Sequence, residues 1–396
     1  MPLSGRKLWL AGIGGAGMSG YAILAKAWGA DVSGWDRRET PYLHGVRAAG
    51  IAVEISDDPP EPPADAEAFV STAFAGRVEG ASRAELLCEL VGLADSIVVA
   101  GAHGKTTTTA MIAFVLDRLG REPSFLIGGE IPQLGGNARA GSGWLVVEGD
   151  ESDRSVFRLP ATVAVVTNVE LDHHTTFGSD AELEDAFEEW ASGIETVIWG
   201  RDLQPVDVEL AVPGEHNRLN AAAALAALEA VDVPREQAGP VLAEFTGAHR
   251  RFELHAEVNG VRLYDDYGHH PAEIAATLAT ARELADGGRV LALFQPHLYS
   301  RTLHLADELA AALGRADIAC VSEIYPAREE PIPGVSGKLV VDRLSEARPG
   351  MRVGWAPSLS DAAAIVASLA RPGDLVLTVG AGDVDSALPL IEERLR

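Results

Sequence analysis

Cysteine is nearly absent: Cys88 and Cys320 are the only two in 396 residues, far apart and without a CxxC pair. That argues against a disulfide framework or a structural zinc site and points to a reducing compartment, so a cytoplasmic protein is expected. Basic charge is also scarce. Lys and Arg number 32 against 58 Asp and Glu, giving a formal net charge of -26 and a pI near 4.7. Such a chain lacks the basic footprint with which proteins engage nucleic acid or anionic membrane surfaces. A polyanionic small molecule stays possible, because a local Lys, Arg or Mg²⁺ site can hold phosphate inside an acidic molecule. Long apolar runs are missing as well. The stretch Leu8 to Ala11 is cut by Gly12, which suits a buried strand rather than a signal peptide or a membrane span. No nucleic acid and no membrane insertion are therefore expected.

What is present is length and a recurring pattern. A chain of 396 residues accommodates two or three domains, each with its own core. Short apolar runs that end in glycine alternate with helix-like stretches, the pattern of parallel α/β layers. Leu8 to Ala11 leads into Gly12, Ile97 to Ala100 into Gly101, and Leu375 to Val379 into Gly380, each expected in a separate sheet. The proline-rich acidic segment Asp57 to Asp65 reads as a surface loop inside the first unit. Boundaries near Leu93 and Gly247 divide the chain into 1–93, 94–247 and 248–396.

The strand Ser96 to Ala100 is followed by Gly101-Ala102-His103-Gly104-Lys105-Thr106-Thr107-Thr108-Thr109 and a helical stretch from Ala110 to Leu119. Strand, glycine loop and helix is the order a phosphate cradle needs. Glycines turn backbone N–H groups inward, the helix N-terminus adds positive potential, Lys105 neutralises charge and the Thr106 hydroxyl can ligate Mg²⁺. The loop is shorter than the common P-loop, which would begin at Val99. Two later strands end in polar clusters: Trp144 to Val147 in Glu148-Gly149-Asp150-Glu151-Ser152-Asp153, and Val163 to Thr167 in Asn168-Val169-Glu170-Leu171-Asp172-His173-His174. Carboxylates at strand ends can reach a metal, although acid clusters are often only solvated loops.

Gly12-Ile13-Gly14-Gly15-Ala16-Gly17 is a complete GxGxxG after a strand, and Asp36 follows at the distance of a ribose-binding acid. Alone this reads as a nicotinamide dinucleotide site, and an NAD-dependent dehydrogenase is the simplest rival. Such a loop binds any pyrophosphate that docks on its helix. Ser71-Thr72-Ala73, after the strand ending in Val70, either lines the same crevice or forms a turn with hydroxyl caps.

Taken together these motifs resemble the Mur ligases, over the length of the chain. The likeness rests on Gly12 to Gly20, Gly101 to Thr109, Glu148 to Asp153, Asn168 to His173, Gly214-Glu215-His216-Asn217-Arg218-Leu219-Asn220 and Arg250-Arg251-Phe252-Glu253. It continues in Asp265-Asp266-Tyr267-Gly268-His269-His270-Pro271, Phe294-Gln295-Pro296-His297 and Gly380-Ala381-Gly382-Asp383. The resemblance implies an α/β protein of three domains: a Rossmann-like N-terminal domain for a UDP-sugar, a central P-loop ATPase-type domain, and a C-terminal Rossmann-like domain on the amino-acid side. The Asp-Asp-Tyr-Gly-His-His-Pro run is similar to that of the alanine-adding member, so the implied substrates are UDP-N-acetylmuramate, L-alanine and ATP with Mg²⁺. The implied protein is a monomer or weak homodimer.

The resemblance also implies roles. Lys105, Glu148, His173, Arg251 and Asp266 are catalytic, with Thr106, Glu148 and His173 on metal. Gly101, Ala102, His103, Gly104, Lys105, Thr106 and Thr107 take the ATP phosphates. Asn217 and Asn220 lie at the adenine, although an N-cap and a polar helix face would read the same. Gly14, Gly15, Ala16, Gly17, Met18, Ser19, Asp36, Ser71 and Thr72 hold the UDP-sugar, and Tyr267, His269 and Arg301 face the amino acid. Arg251 and Asp266 are expected to complete the site on domain closure.

Three positions depart from the family. Ala102 replaces a threonine. Leu298 replaces an arginine of the Phe294 to Thr302 motif, removing a charge-assisted contact worth about 1.5–3 kcal/mol. The interval from His173 to His216 is short, so the central domain is expected to be pruned away from the ATP loop. These departures leave open a divergent paralogue with another acceptor, or one that regulates by binding nucleotide or UDP-sugar.

Overall fold

The computed structural model describes residues 1–171, 176–327 and 329–396. Three sheets succeed one another along the chain, and the three glycine-terminated runs fall one in each. The first comprises β1 (Lys7–Ala11), β2 (Asp31–Asp36), β3 (Ala52–Ile55), β4 (Glu67–Val70) and β5 (Ala81–Ser82), in the order β3-β2-β1-β4-β5. All four of its pairings are parallel. The order reverses beside β1, so the crevice beyond Ala11 is a topological switch point where ligands dock in such sheets.

The second sheet contains β6 (Ser96–Ala100), β7 (Ser124–Ile131), β8 (Gly136–Arg139), β9 (Leu145–Glu148), β10 (Val163–Val166) and β11 (Thr196–Trp199), in the order β11-β10-β6-β9-β7-β8. Only β7 and β8 run antiparallel. β6 is central and wholly buried, as its continuous Ser-Ile-Val-Val-Ala run demands of a strand covered on both faces. The helix after it spans Lys105–Arg118, starting within the glycine loop rather than after the threonines.

The third sheet has β12 (Glu253–Val258), β13 (Val261–Asp266), β14 (Val290–Phe294), β15 (Ile318–Val321), β16 (Arg352–Trp355) and β17 (Leu375–Val379), in the order β12-β13-β17-β14-β15-β16. Its one antiparallel pair is β12 with β13. Separate apolar clusters cover its two faces, one around Ile274, Leu309 and Leu344, the other around Val366, Leu388 and Ile391.

The described chain forms two compact units. One holds residues 1–211 and 217–248, the other 212–216 and 249–396. Thus the first two sheets pack together in one unit. The physical reason is a continuous core that runs from Leu8, Leu24 and Leu86 to Val98, Val147 and Phe187. Polar ties reinforce it: Asn137 Nδ2 on β8 donates to Ala16 O at 2.9 Å, and Arg83 pairs with Asp150 and Asp153. The Asp57–Asp65 segment contains no helix or strand, in keeping with a loop of the first sheet.

Candidate active site

In the first unit the phosphate loop is built before any ligand arrives. Gly101 (φ +120°) and Gly104 (φ +81°) adopt backbone conformations that side chains disfavour. A Cβ at Gly101 would collide with Thr167 and one at Gly104 with Asn220. The loop is pinned from β10's end: His103 N donates to Asn168 Oδ1 at 2.9 Å, and Asn168 Nδ2 and Thr167 Oγ1 donate to His103 O at 2.9 and 2.6 Å. His103 also pairs with Glu170, Nε2 to Oε2 3.2 Å.

Lys105 sits inside this cage. Its Nζ donates to Gly101 O (2.6 Å) and Ala102 O (3.1 Å), and to both oxygens of Glu151 at 3.1 and 3.0 Å. Burial works against the ammonium, yet the carboxylates of Glu151, Glu148 and Asp150 hold its pKa above that of free lysine. One helical step on, Thr106 Oγ1 donates to Glu148 Oε1 at 2.8 Å, and Gly128 N donates to Glu148 Oε2 at 2.6 Å. The sequence pair Thr106 and Glu148 is thus brought into contact. Asn217 and Asn220 are buried on one face of the helix Glu215–Glu229, and Asn220 lies against Gly104. His173, assigned to metal in the sequence, lies outside the described residues.

At the first glycine loop, Asp36 is already engaged. Its carboxylate accepts from Gly14 N at 2.8 Å and Arg37 N at 2.7 Å, while Thr40 Oγ1 donates to Gly14 O. Met18 and Ser19 are buried, with the Met18 side chain in the core, Ser19 Oγ donating to Ala16 O and Ser19 N donating to Gly15 O. Ser71 stands beside Gly12, where a Cβ would come within 2.5 Å of its Oγ, whereas Thr72 is exposed.

In the second unit the twin arginines divide their work. Arg250 is a structural hub: Nε donates to Asp265 Oδ2, Nη1 to Gly382 O and Nη2 to Gly380 O, each at 2.7 Å. Arg251 is half-exposed, over the Tyr267 ring and 3.7 Å from Glu273. Asp266 is buried, accepting from Phe252 N, Gly268 N and Thr277 Oγ1 at 2.9, 2.8 and 3.1 Å. Burial pushes its carboxyl up to about 6, against the opposing pull of Arg251. His269 and Tyr267 meet edge to face, and His269 neighbours His297, whose Nδ1 accepts from Arg301 Nη1 at 3.1 Å. Leu298 holds a left-handed φ of +68°, fixed by Leu298 N to Tyr325 O and Thr302 Oγ1 to Leu298 O. Strain of this kind is kept where a loop's geometry matters.

Sequence reading did not single out Glu151, Asn168, Arg83 or Arg250. Glu151 and Asn168 lay in quoted acidic and polar clusters, but nothing in a linear sequence says which cluster member faces the lysine.

A glycine loop with a caged lysine, a threonine–carboxylate pair at the helix start and parallel sheets defines a phosphate-binding α/β enzyme. Domain profiles narrow the class: "Mur ligase family, catalytic domain" matches residues 10–91, "Mur ligase middle domain" 99–204 and "Mur ligase, glutamate ligase domain" 250–382. A UDP-N-acetylmuramate--L-alanine ligase of Renibacterium salmoninarum is 39% identical over 438 positions, covering 95% of this chain and 93% of that protein. One from Kineococcus radiotolerans is 41% identical, covering 97% and 95%. The crystal structure of the UDP-N-acetylmuramate-alanine ligase of Thermotoga maritima superposes with a TM-score of 0.81 at 26% identity, over 98% of each chain. A murein peptide ligase from Psychrobacter arcticus shares the fold, with a TM-score of 0.64 at 24% identity. The chain belongs to the Mur ligase family.

Asp266 gives this geometry a direct check. In a carbon-detected NMR titration its carboxyl should show a midpoint near 6, and a midpoint below 4 would contradict the dominance of burial over the opposing donors and Arg251. The sign for stability follows: between the unfolded value of about 3.9 and 6, the folded state binds the extra proton, so this group's contribution falls as pH rises through that window.

Proposed function

We infer that the chain is an ATP-dependent, ADP-forming ligase that joins L-alanine to the lactyl carboxylate of UDP-N-acetylmuramate, in peptidoglycan precursor synthesis. One observation carries this reading: identity of 39% and 41% to ligases of that name along nearly the whole chain. The caged lysine and the threonine–carboxylate pair supply what the reaction needs.

In the first step a lactyl carboxylate oxygen attacks the γ-phosphorus of ATP. A P–O bond forms, the bond to ADP breaks, and an acyl phosphate results. In the second step the amine of L-alanine attacks the acyl carbon and inorganic phosphate leaves, with loss of the amine proton. Phosphoryl transfer depends on positioning and charge neutralisation. Lys105 turns from the carbonyls of Gly101 and Ala102 to the β- and γ-phosphates, and the N–H groups at the helix start, Gly104 to Thr107, cradle them, while those of Ala102 and His103 hold the loop to Asn168.

Thr106 Oγ1 and Glu148 form a hard-oxygen donor set that fits Mg²⁺. When bound, the ion supplies charge neutralisation between carboxylate and triphosphate. His173 serves a second metal by the family pattern. Asn217 and Asn220 lie at the adenine. Gly14 to Ser19, Asp36, Ser71 and Thr72 take the UDP-sugar. Asp36 acts by holding the loop through Gly14, Met18 through its backbone N–H, and Ser19 by closing the first helical turn through its bonds to Gly15 O and Ala16 O. In the second unit Arg251, Tyr267, His269 and Arg301 receive the amino acid, with Asp266 ordering their loop. The ranges 1–93, 94–247 and 248–396 are the corresponding functional domains. No helix of the described chain is long and apolar enough to cross a membrane. A cytoplasmic monomer or weak homodimer is the form we assign.

Phosphate release with UDP-N-acetylmuramate, ATP and Mg²⁺ tests the reading, with L-alanine, glycine and L-serine as acceptors. L-Alanine should give the fastest turnover; turnover with none would sink the ligase assignment, and turnover with glycine or serine alone would move the acceptor. Lys105→Ala should lower kcat by about 10²–10³-fold or more, since it removes a charge aimed at the transferring phosphate. UDP-N-acetylmuramate affinity should stay nearly unchanged. Loss of both would contradict the division of labour between the two glycine loops.

A further inference from the structure

Arg83 stands between the two glycine loops of the first unit and belongs to neither. It follows β5 at the first position of the helix Arg83–Val91. Its backbone is fixed by a capping box in which Ser82 N donates to Glu85 Oε2 at 2.7 Å and Glu85 N to Ser82 Oγ at 3.3 Å. The guanidinium crosses to the acid loop after β9. Nε donates to Asp153 Oδ2 at 3.2 Å, and Nη2 donates to Asp153 Oδ2 at 2.7 Å and Asp150 Oδ2 at 3.0 Å.

That loop begins at Glu148, the partner of Thr106, and contains Glu151, the partner of Lys105. It is folded tightly, with Ser152 N on Asp150 Oδ1, Ser155 N on Asp153 Oδ1 and Ser155 Oγ on Asp150 O. The remaining nitrogen, Nη1, makes no hydrogen bond among the described residues. It lies under the first glycine loop: a Cβ at Gly17 would be 3.5 Å from Nη1 and 3.3 Å from the Tyr21 hydroxyl. Tyr21 is buried on the helix Ala16–Ala27, one turn on from Gly17.

We propose that Arg83 couples the sugar-nucleotide site to the ATP site, taking charge from a phosphate on the Gly14–Gly17 loop while bracing the acid loop that carries Glu148 and Glu151. A guanidinium has five N–H donors in a rigid fork, so it can hold two carboxylates and still face a third anion. The acids need not be released, and the coupling is positive. A phosphate at Gly17 fixes the guanidinium, the guanidinium fixes Asp150 and Asp153, and the metal-side carboxylate between them and β9 is ordered with them. By linkage, nucleotide at the second loop tightens the sugar nucleotide by the same factor.

This inference rests on the assignment of UDP-N-acetylmuramate to the first loop and ATP to the second. Calorimetry of Mg²⁺–ADP, with and without saturating UDP-N-acetylmuramate, separates the two claims. Wild-type protein should bind ADP at least about fivefold tighter when the sugar nucleotide is present, the lower end of ordinary coupling. In Arg83→Gln that factor should fall to about one while ADP alone still binds, and Arg83→Lys should recover part of it. Asp150→Asn with Asp153→Asn should also abolish coupling while sparing UDP-N-acetylmuramate affinity, and decides the matter if Arg83→Gln does not fold. Unchanged coupling in these variants, or none in the wild type, overturns the role of Arg83. Failure of the wild type to bind either ligand overturns the ligase assignment instead.

Discussion

The buried ammonium of Lys105 is the constraint around which the first unit is arranged. A charge inside protein is tolerated only when paired and hydrogen-bonded. Lys105 meets that condition with two loop carbonyls and the carboxylate of Glu151. The carbonyls are available because Gly101 and Gly104 turn the backbone, and the turn persists because Thr167 and Asn168 clamp His103. Glu151 is in place because the acid loop folds on itself and on Arg83. Removing any one of these supports leaves a cation without its cage, so the phosphate loop is held open for a competing anion rather than assembled by it.

The second unit uses the same device with an arginine in place of the lysine. The Arg250 guanidinium ties Asp265 to the carbonyls of Gly380 and Gly382 at the ends of β13 and β17 through three hydrogen bonds. Asp266, one residue on, receives the N–H groups of Phe252 and Gly268 and so sets the loop bearing Tyr267 and His269. The adjacent Arg251 keeps its guanidinium half-exposed. Two arginines side by side in sequence thus do different work: both lie in the turn before β12, where Arg250, at a φ of +59°, turns its guanidinium inward and Arg251 leaves its own partly exposed.

Much of this was legible in the sequence, and the reasons are physical. A buried parallel strand needs a continuous apolar run and a glycine exit, so β1, β6 and β17 and their separate sheets could be read directly. Phosphate chemistry needs lysine and threonine at a helix start, so Lys105 and Thr106 could be read directly, and Thr106 meets Glu148 as the resemblance implied. Contacts between distant segments were not legible. That the first two sheets pack on a common core follows from Leu24, Leu86 and Val147 coming together in three dimensions. Spacing marked Asp36 as a ribose-binding acid but could not reveal that its carboxylate also accepts from Gly14 N. Leu298 could be seen to lack a guanidinium, but not to sit at a φ of +68° fixed from both sides.

The central claim is that the lactyl carboxylate is activated by direct transfer of a phosphoryl group from ATP, and an isotope can follow that atom. UDP-N-acetylmuramate labelled with ¹⁸O in both carboxylate oxygens, turned over with ATP, Mg²⁺ and L-alanine, should yield inorganic phosphate bearing one ¹⁸O by mass spectrometry. The amide product should retain the other. Amide product formed with unlabelled phosphate, the displaced heavy oxygen appearing in AMP or water instead, would contradict an acyl phosphate and with it the role given to the cage around Lys105.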